Sequence, residues 1–225
     1  MVEGAQDVRR TRVTAQLREL RFDAGSLSLN LIATVGRRPI TPVERMGDID
    51  RLRAWCEGVR LAVHPDEDLA GLLKALHDLR ACAYDVTVGY LHRHAPREES
   101  VRLLNQLARV HPPAPRLEVD ADGLPAAASS PGLSAPALLS LIARDLITLL
   151  SDPMRRQTLR ECDSQICRML YLDAAQGRPR KWCSMQRCGN STKAARHRRH
   201  REKAGDLPRP PGRPTTPSEP WSAEQ

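Results

Sequence analysis

Hydrophobic and polar positions along this chain repeat with two periods, and the period assigns each segment its element. Between Phe22 and Val35 the run Ser-Leu-Ser-Leu-Asn-Leu alternates, which predicts a short half-buried strand continued by Ile32 to Val35. Asp48 then stands as an N-cap for a helix with apolar positions Ile49, Leu52, Trp55, Cys56 and Val59. His64-Pro65-Asp66 breaks the chain and caps a longer helix. That helix carries Leu69, Leu72, Leu73, Leu76, Leu79, Ala83, Val86 and Tyr90 three and four apart, one stripe for a core. Glu98 to Val110 predicts a third helix, with Val101, Leu104, Leu107 and Ala108 on one face, ended by His111-Pro112-Pro113. From Arg116 to Leu124 the period returns to two around Asp122-Gly123, a hairpin signal, and Ala126 to Ser134 follows as a small-residue loop. Ser134 and Pro136 open a strongly apolar helix to Leu150, the expected central packing element, and Ser151-Asp152-Pro153 interrupts it.

The elements predict a mainly α protein with small β elements. A helical N-terminal domain spans 21–153 behind a weakly ordered arm at 1–20, and a small module follows at 154–204. The last segment, 205–225, has six prolines between Pro208 and Pro220 and is expected to stay disordered, because it cannot bury enough apolar surface to order itself. No repeat of solenoid period and no heptad-rich seam is present, so the sequence does not fix an oligomeric state.

Charge separates these parts further. The chain of 225 residues has 35 Lys and Arg against 27 Asp and Glu, a net charge of +8. From Arg155 to Lys203 there are fourteen basic and four acidic side chains, a local +10, whereas residues 1–154 hold nineteen and twenty. A near-neutral body with one strongly basic module is the electrostatic footprint of a polyanion partner. Aromatics are only 3%, which argues against a platform that stacks single-stranded bases. The longest apolar stretch, Ala137 to Leu150, contains Arg144 and Asp145, so no membrane partner is expected, and the first residues lack a secretory pattern. The expected location is the cytoplasm. No P-loop, G-x-G-x-x-G, H-E-x-x-H or G-x-S-x-G is present, and Asp66, Glu67 and Asp68 are better explained by a helix dipole than by catalysis. The expectation is a protein that is not an enzyme.

Cysteine spacing supplies the candidate chemistry. Cys162, Cys167, Cys183 and Cys188 form C-x4-C-x15-C-x4-C, two short loops that each present two thiolates. Such a set closes a tetrahedron around one structural Zn²⁺ and leaves no position for a catalytic water. The module has few apolar residues of its own, so the metal is expected to supply much of its folding free energy. A disulfide use is disfavoured in a reducing compartment, and His197 and His200 are rival ligands weakened by the flanking arginines. Cys56 and Cys82 fall on apolar helix faces as core thiols, and His92 and His94 read as surface residues.

The run Trp182-Cys183-Ser184-Met185, then Cys188-Gly189-Asn190 and Lys193, resembles the CGNR-type zinc finger of bacterial proteins, with Tyr171-x-Asp173 and the first cysteine pair completing the likeness. Ser191 takes the fourth position of the motif, where that family has arginine. Residues from about Phe22 to Asp152 resemble the ABATE domain, through Leu29-Asn30-Leu31-Ile32-Ala33-Thr34, Leu79-Arg80 and Ile142-Ala143-Arg144-Asp145. Asn30 and Ala33 stand where the family favours an acid and an asparagine. The resemblance implies a transcriptional regulator whose finger binds DNA and whose N-terminal domain senses a small-molecule effector or a stress.

From Ser191 to Lys203 the chain lacks Pro and Gly and can run as a helix about half cationic in circumference. Lys193, Arg196, Arg198, Arg199 and Arg201 are the expected phosphate contacts on duplex DNA, with Arg178, Arg180 and Lys181 adding contacts from the inter-pair loop. Asn190 can read adenine or cap the helix, and Trp182 is expected to pack over the zinc loops. The competing expectation is a zinc-stapled interaction module that binds RNA or an acidic protein.

Overall fold

A computed structural model describes residues 15–127, 132–175, 177–195 and 197. The first part of the arm, the Pro-rich tail and residues 128–131 of the small-residue loop lie outside these. In chain order the elements are α1 (Ala15–Arg18), α2 (Leu27–Ile32), β1 (Val35–Gly36), β2 (Val43–Glu44), α3 (Ile49–Gly58), α4 (Leu69–His92) and α5 (Glu98–Leu107). They continue as β3 (Leu117–Val119), β4 (Pro125–Ala127), α6 (Ala135–Ser151), α7 (Pro153–Arg156), β5 (Leu159–Glu161), β6 (Leu170–Leu172) and a π-helical turn, Met185–Gly189. The protein is mainly α with three two-stranded antiparallel ribbons, β1–β2, β3–β4 and β5–β6.

The alternating run at 26–31 is a helix, α2, in place of the expected strand. Ser26 caps it by accepting from the Leu29 amide at 3.2 Å. Ser28 donates from both its amide and its hydroxyl to Asp145 of α6, at 2.8 and 2.6 Å. Ser28, Leu29, Leu31 and Ile32 are all buried, so α2 is enclosed on several sides and its sequence lacks the one-sided stripe that marks a surface helix. Ser28, one of the polar positions that made the run look two-faced, is inside the protein and satisfied by a carboxylate, while the half-buried Ser26 caps the helix.

The other helices follow their capping and spacing more closely. Asp48 accepts from the Arg51 amide at 2.8 Å and starts α3 as expected. The cap of α4 is Asp68, which accepts from the Ala70 amide at 3.1 Å, two residues beyond the expected Asp66. On α4, Leu72, Leu76, Leu79 and Ala83 are buried, whereas Tyr90 on the same stripe is 40% exposed. Helix α5 ends at Leu107, before the prolines that were expected to stop it. The Asp122-Gly123 hairpin forms, with Asp120 accepting from the amides of Asp122 and Leu124, and it projects away from the core. Helix α6 packs against α2, α4 and α5, the central role its composition predicted. Asp152 ends α6 and caps α7 by accepting from the Met154 amide at 2.8 Å.

Two constraints position the C-terminal module. Leu159, Met169, Leu170 and Tyr171 belong to the same buried cluster as the helices of the body, so the module completes its core with theirs. The appendage expected to be coreless therefore shares the core of the body. Gly25, at φ +93°, lies where a Cβ would come within 2.9 Å of Leu172, and the adjacent Ala24 carbonyl accepts from the Leu172 amide at 2.8 Å. Within the body, Arg80 of α4 forks onto Glu44 of β2 at 2.8 and 2.6 Å and donates to Thr34 at 2.7 Å. Glu44 also accepts from the Met46 amide, at 2.9 Å.

Burial opposes ionisation of Glu44, but hydrogen bonds from Arg80 and the Met46 amide hold its carboxyl below the usual range. The folded-state value is depressed, so its contribution to stability is present above about pH 4.3 and is lost as pH falls through the folded value. Glu44→Gln should cost roughly 2 kcal/mol at neutral pH, a figure reduced for the carboxylate's partial exposure. Urea unfolding should show the gap to the unmodified protein closing as the pH is lowered below about 4.

Candidate metal centre

Backbone geometry brings the two cysteine pairs to one point. Cys162 directly follows β5, and its amide donates to the Met169 carbonyl at 2.9 Å, extending the β5–β6 ladder. The chain then turns tightly, with the Cys167 amide on the Ser164 carbonyl at 3.0 Å and Arg168 left-handed at φ +51°. Of the second pair, Cys183 precedes the π turn and Cys188 lies within it. Residues five apart lie about 140° from each other around an α-helical axis, and a wider turn reduces that angle. Ser184 caps this turn, its carbonyl accepting from the Cys188 and Gly189 amides at 3.0 and 3.1 Å.

The four Sγ atoms lie within 4.8 Å of one another, with Cys167 to Cys183 at 3.8 Å and Cys183 to Cys188 at 3.6 Å. A tetrahedron with Zn–S bonds of about 2.3 Å has edges of about 3.8 Å, so the donor set fits the ion. Cys162, Cys183 and Cys188 are buried and Cys167 is half-buried, and no disulfide joins any of them. Crowding sets their ionisation. Hydrogen bonds from the other three thiols, that of Cys162 foremost, hold Cys183 far below the ordinary thiol value, and Cys162 is lowered to about 7. Cys167 and Cys188 are pushed up by those same neighbours, because further negative charge in this volume needs a cation.

Around the sulfurs stands a set of arginines that spacing did not single out. Arg21, 5% exposed, directs Nη2 at Cys183 Sγ over 3.7 Å while forking onto Asp23 at 2.7 and 2.6 Å. Burial pulls its pKa down, but Asp23 and Cys183 outweigh that and leave it above the ordinary arginine value. Arg45 donates to the carbonyls of Leu17 and Ala33 at 2.9 and 2.6 Å, passing Gly36 so closely that any Cβ there would meet its guanidinium. Burial lowers the Arg45 pKa, and Arg21 and Arg187 lower it further. Arg187, in the π turn, pairs with Glu19 at 2.6 Å. On the opposite flank His92 of α4 and Arg168 both meet Glu161 of β5, at 3.0 and 2.9 Å. The finger is thus fastened to the body on two sides, and His92 has a structural partner beyond its expected surface role.

The structure separates the residues expected to contact nucleic acid. Arg178, Lys181 and Lys193 are exposed, and Asn190 is exposed where residues 190–195 begin a helical segment. Arg180 is tied inward, its amide and Nε on Asp173 at 2.7 and 2.8 Å and Nη2 on the Leu172 carbonyl at 3.0 Å. Tyr171, fully buried, donates to the Arg180 carbonyl at 2.7 Å, so Tyr171-x-Asp173 clasps the loop ahead of Cys183. Ser191 donates to the carbonyls of Arg187 and Cys188 at 2.9 and 3.1 Å. Trp182 lies over Gly189, with its ring 3.4 Å from where a Cβ would stand, as expected of a packing residue. Arg196, Arg198, Arg199 and Arg201 lie outside the described residues.

Residues 25–153, more than half of the chain, match the ABATE family, described as "Putative stress-induced transcription regulator". The chain belongs to this family. Residues 158–201 match the CGNR zinc finger, which contains all four clustered cysteines. No curated protein matches the chain. Cys162, Cys167, Cys183 and Cys188 therefore form a structural zinc site, closed by sulfur on all four sides. Zinc with four thiolates carries a formal charge of roughly −2, and a charged hydrogen bond from Arg21 stabilises it. Arg21 precedes both matched spans, so an ABATE-side residue outside the family match completes the surroundings of the finger's metal.

Purified protein should contain about one zinc per chain by elemental analysis, and Cys183→Ser should lose it. Arg21→Ala should retain the stoichiometry but lose zinc to a competing chelator at about ten- to hundredfold lower concentration. Unchanged metal content in the first variant and unchanged competition in the second would contradict these assignments.

Proposed function

We propose that this ABATE protein is a DNA-binding transcription regulator of the cytoplasm, in which the zinc site fixes a basic surface for docking on a duplex. The observation that carries the reading is the distribution of charge. Residues 155–203 hold a local +10 against a near-neutral body, and Arg178, Lys181 and Lys193 stand exposed around the metal site. Polyanion binding by such a surface is driven by release of counterions from the phosphates. Arg180 and Arg187 have carboxylate partners within the protein and serve the finger's shape, leaving the exposed cations and the arginines after residue 195 to meet phosphate. Asn190, at the start of the helical segment, is of a type that reads adenine in the major groove. The reading assigns the N-terminal domain to sensing and assigns no catalysis to either part. The description of the matching family as a stress-induced transcription regulator supports it.

Duplex DNA binding by the zinc-loaded protein should weaken with salt along a log–log slope of about −4 to −6, as expected for about five to seven neutralised phosphates. Lys193→Ala should reduce the magnitude of that slope by about 1 without altering sequence preference. Arg180→Ala should instead reduce the finger's thermal stability. Absence of binding at low salt, or tighter binding to RNA or to an acidic protein than to duplex DNA, would replace this function with the interaction-module alternative.

A further inference from the structure

Between the body and the finger lies a cavity of about 270 Å³ lined by four arginines, Arg21, Arg37, Arg45 and Arg187, with Ser164 and the zinc ligands Cys167 and Cys188 beside them and no Asp or Glu on its wall. Three of the arginines have partners. Arg21 holds Asp23 and Cys183, Arg187 holds Glu19, and Arg45 donates to two backbone carbonyls that carry no net charge. Arg37 differs. It is 6% exposed, its backbone is left-handed at φ +52°, and its Nε is buried without an acceptor. Among the described residues its guanidinium makes no hydrogen bond and no ion pair. A buried donor left unmade costs about 1–3 kcal/mol, so an acceptor entering the cavity that Arg37 lines would stabilise it.

The zinc centre does not account for Arg37. The tetrathiolate's formal charge of roughly −2 is met at sulfur by Arg21, whose Nη2 is the one guanidinium atom within hydrogen-bond reach of a ligand sulfur among the described residues. Long-range attraction to the metal site would ease the Arg37 charge and still leave its Nε–H unpaired. An oxygen acceptor that brings negative charge satisfies both requirements, and the planar guanidinium fork matches the paired oxygens of phosphate and carboxylate.

We propose that this cavity binds a small oxyanion, a phosphate or carboxylate group, through Arg37 with Arg45 as a second positive wall. The site gives the sensor of the proposed function its ligand class, and it rests on that function only for the consequence of binding. An anion held there touches the body through Arg37 and Arg45 and the finger through Ser164 and Arg187, so occupancy strengthens the junction between the sensing and docking parts.

The test uses the zinc-loaded full chain and calorimetric titration with inorganic phosphate and, separately, succinate, at constant ionic strength in chloride. Saturable binding of about one anion per chain is expected for at least one of them. Arg37→Gln should weaken it at least tenfold with zinc content unchanged, and Lys193→Ala on the exposed basic surface should leave it intact. Should Arg37→Gln fail to fold, the Arg37 Nε–H resonance of the unmodified protein provides the same reading and should shift on titration. No saturable binding, binding that survives Arg37→Gln but not Lys193→Ala, or an unmoved Nε–H resonance would overturn the site. Absence of anion binding in a chain that binds duplex DNA overturns the site alone, whereas anion binding without DNA binding overturns only the regulator function.

Discussion

Four cysteine sulfurs within 4.8 Å of one another repel as thiolates and are stable together only around a cation. That requirement shapes the junction of the molecule. The two loops that supply the sulfurs are closed by their own backbone hydrogen bonds, but their surroundings come from elsewhere in the chain. Arg21 meets Cys183 from 162 positions away, Arg187 reaches back to Glu19, and Leu172 is bonded to Ala24. The zinc finger is therefore a part of the body's surface, sharing its apolar core, rather than a bead on a linker. The N-terminal segment is in direct contact with the metal site and its loops.

The basic side chains named above differ in what they touch. Arg21, Arg80, Arg180 and Arg187 hold carboxylates and fix geometry, whereas Arg178, Lys181 and Lys193 face solvent. Only the second kind is free to exchange counterions with a polyanion, since a committed arginine would have to break its ion pair first. Arg37 belongs to neither kind, because it is buried and unpaired.

Much of this was legible along the chain. The metal ligands followed from cysteine spacing because two close pairs of thiolates supply the four donors of a tetrahedral structural site. Helices α3, α4 and α6 followed from the spacing of their apolar residues, with the cap of α4 displaced from Asp66 to Asp68, and the Asp-Gly turn marked its hairpin. Helix α2 was not legible, since Ser28 is buried against Asp145 and, with the capping Ser26, mimics the polar side of a strand. The docking of the finger was hidden for a different reason. Arg21 and Cys183 carry no pattern that relates them, and a local charge count treats Arg180 like Arg178 although only Arg180 is clasped by Asp173.

Amide hydrogen exchange of the full chain, with and without removal of zinc by a strong chelator, tests this account most directly. If the metal site is a joint between the two parts, protection should fall together in residues 158–195 and in peptides spanning 17–27, while the amides of α4 and α6 stay protected. Loss of protection confined to residues 158–195 would contradict the account, because it would mean that the finger folds and unfolds without the segment that carries Arg21.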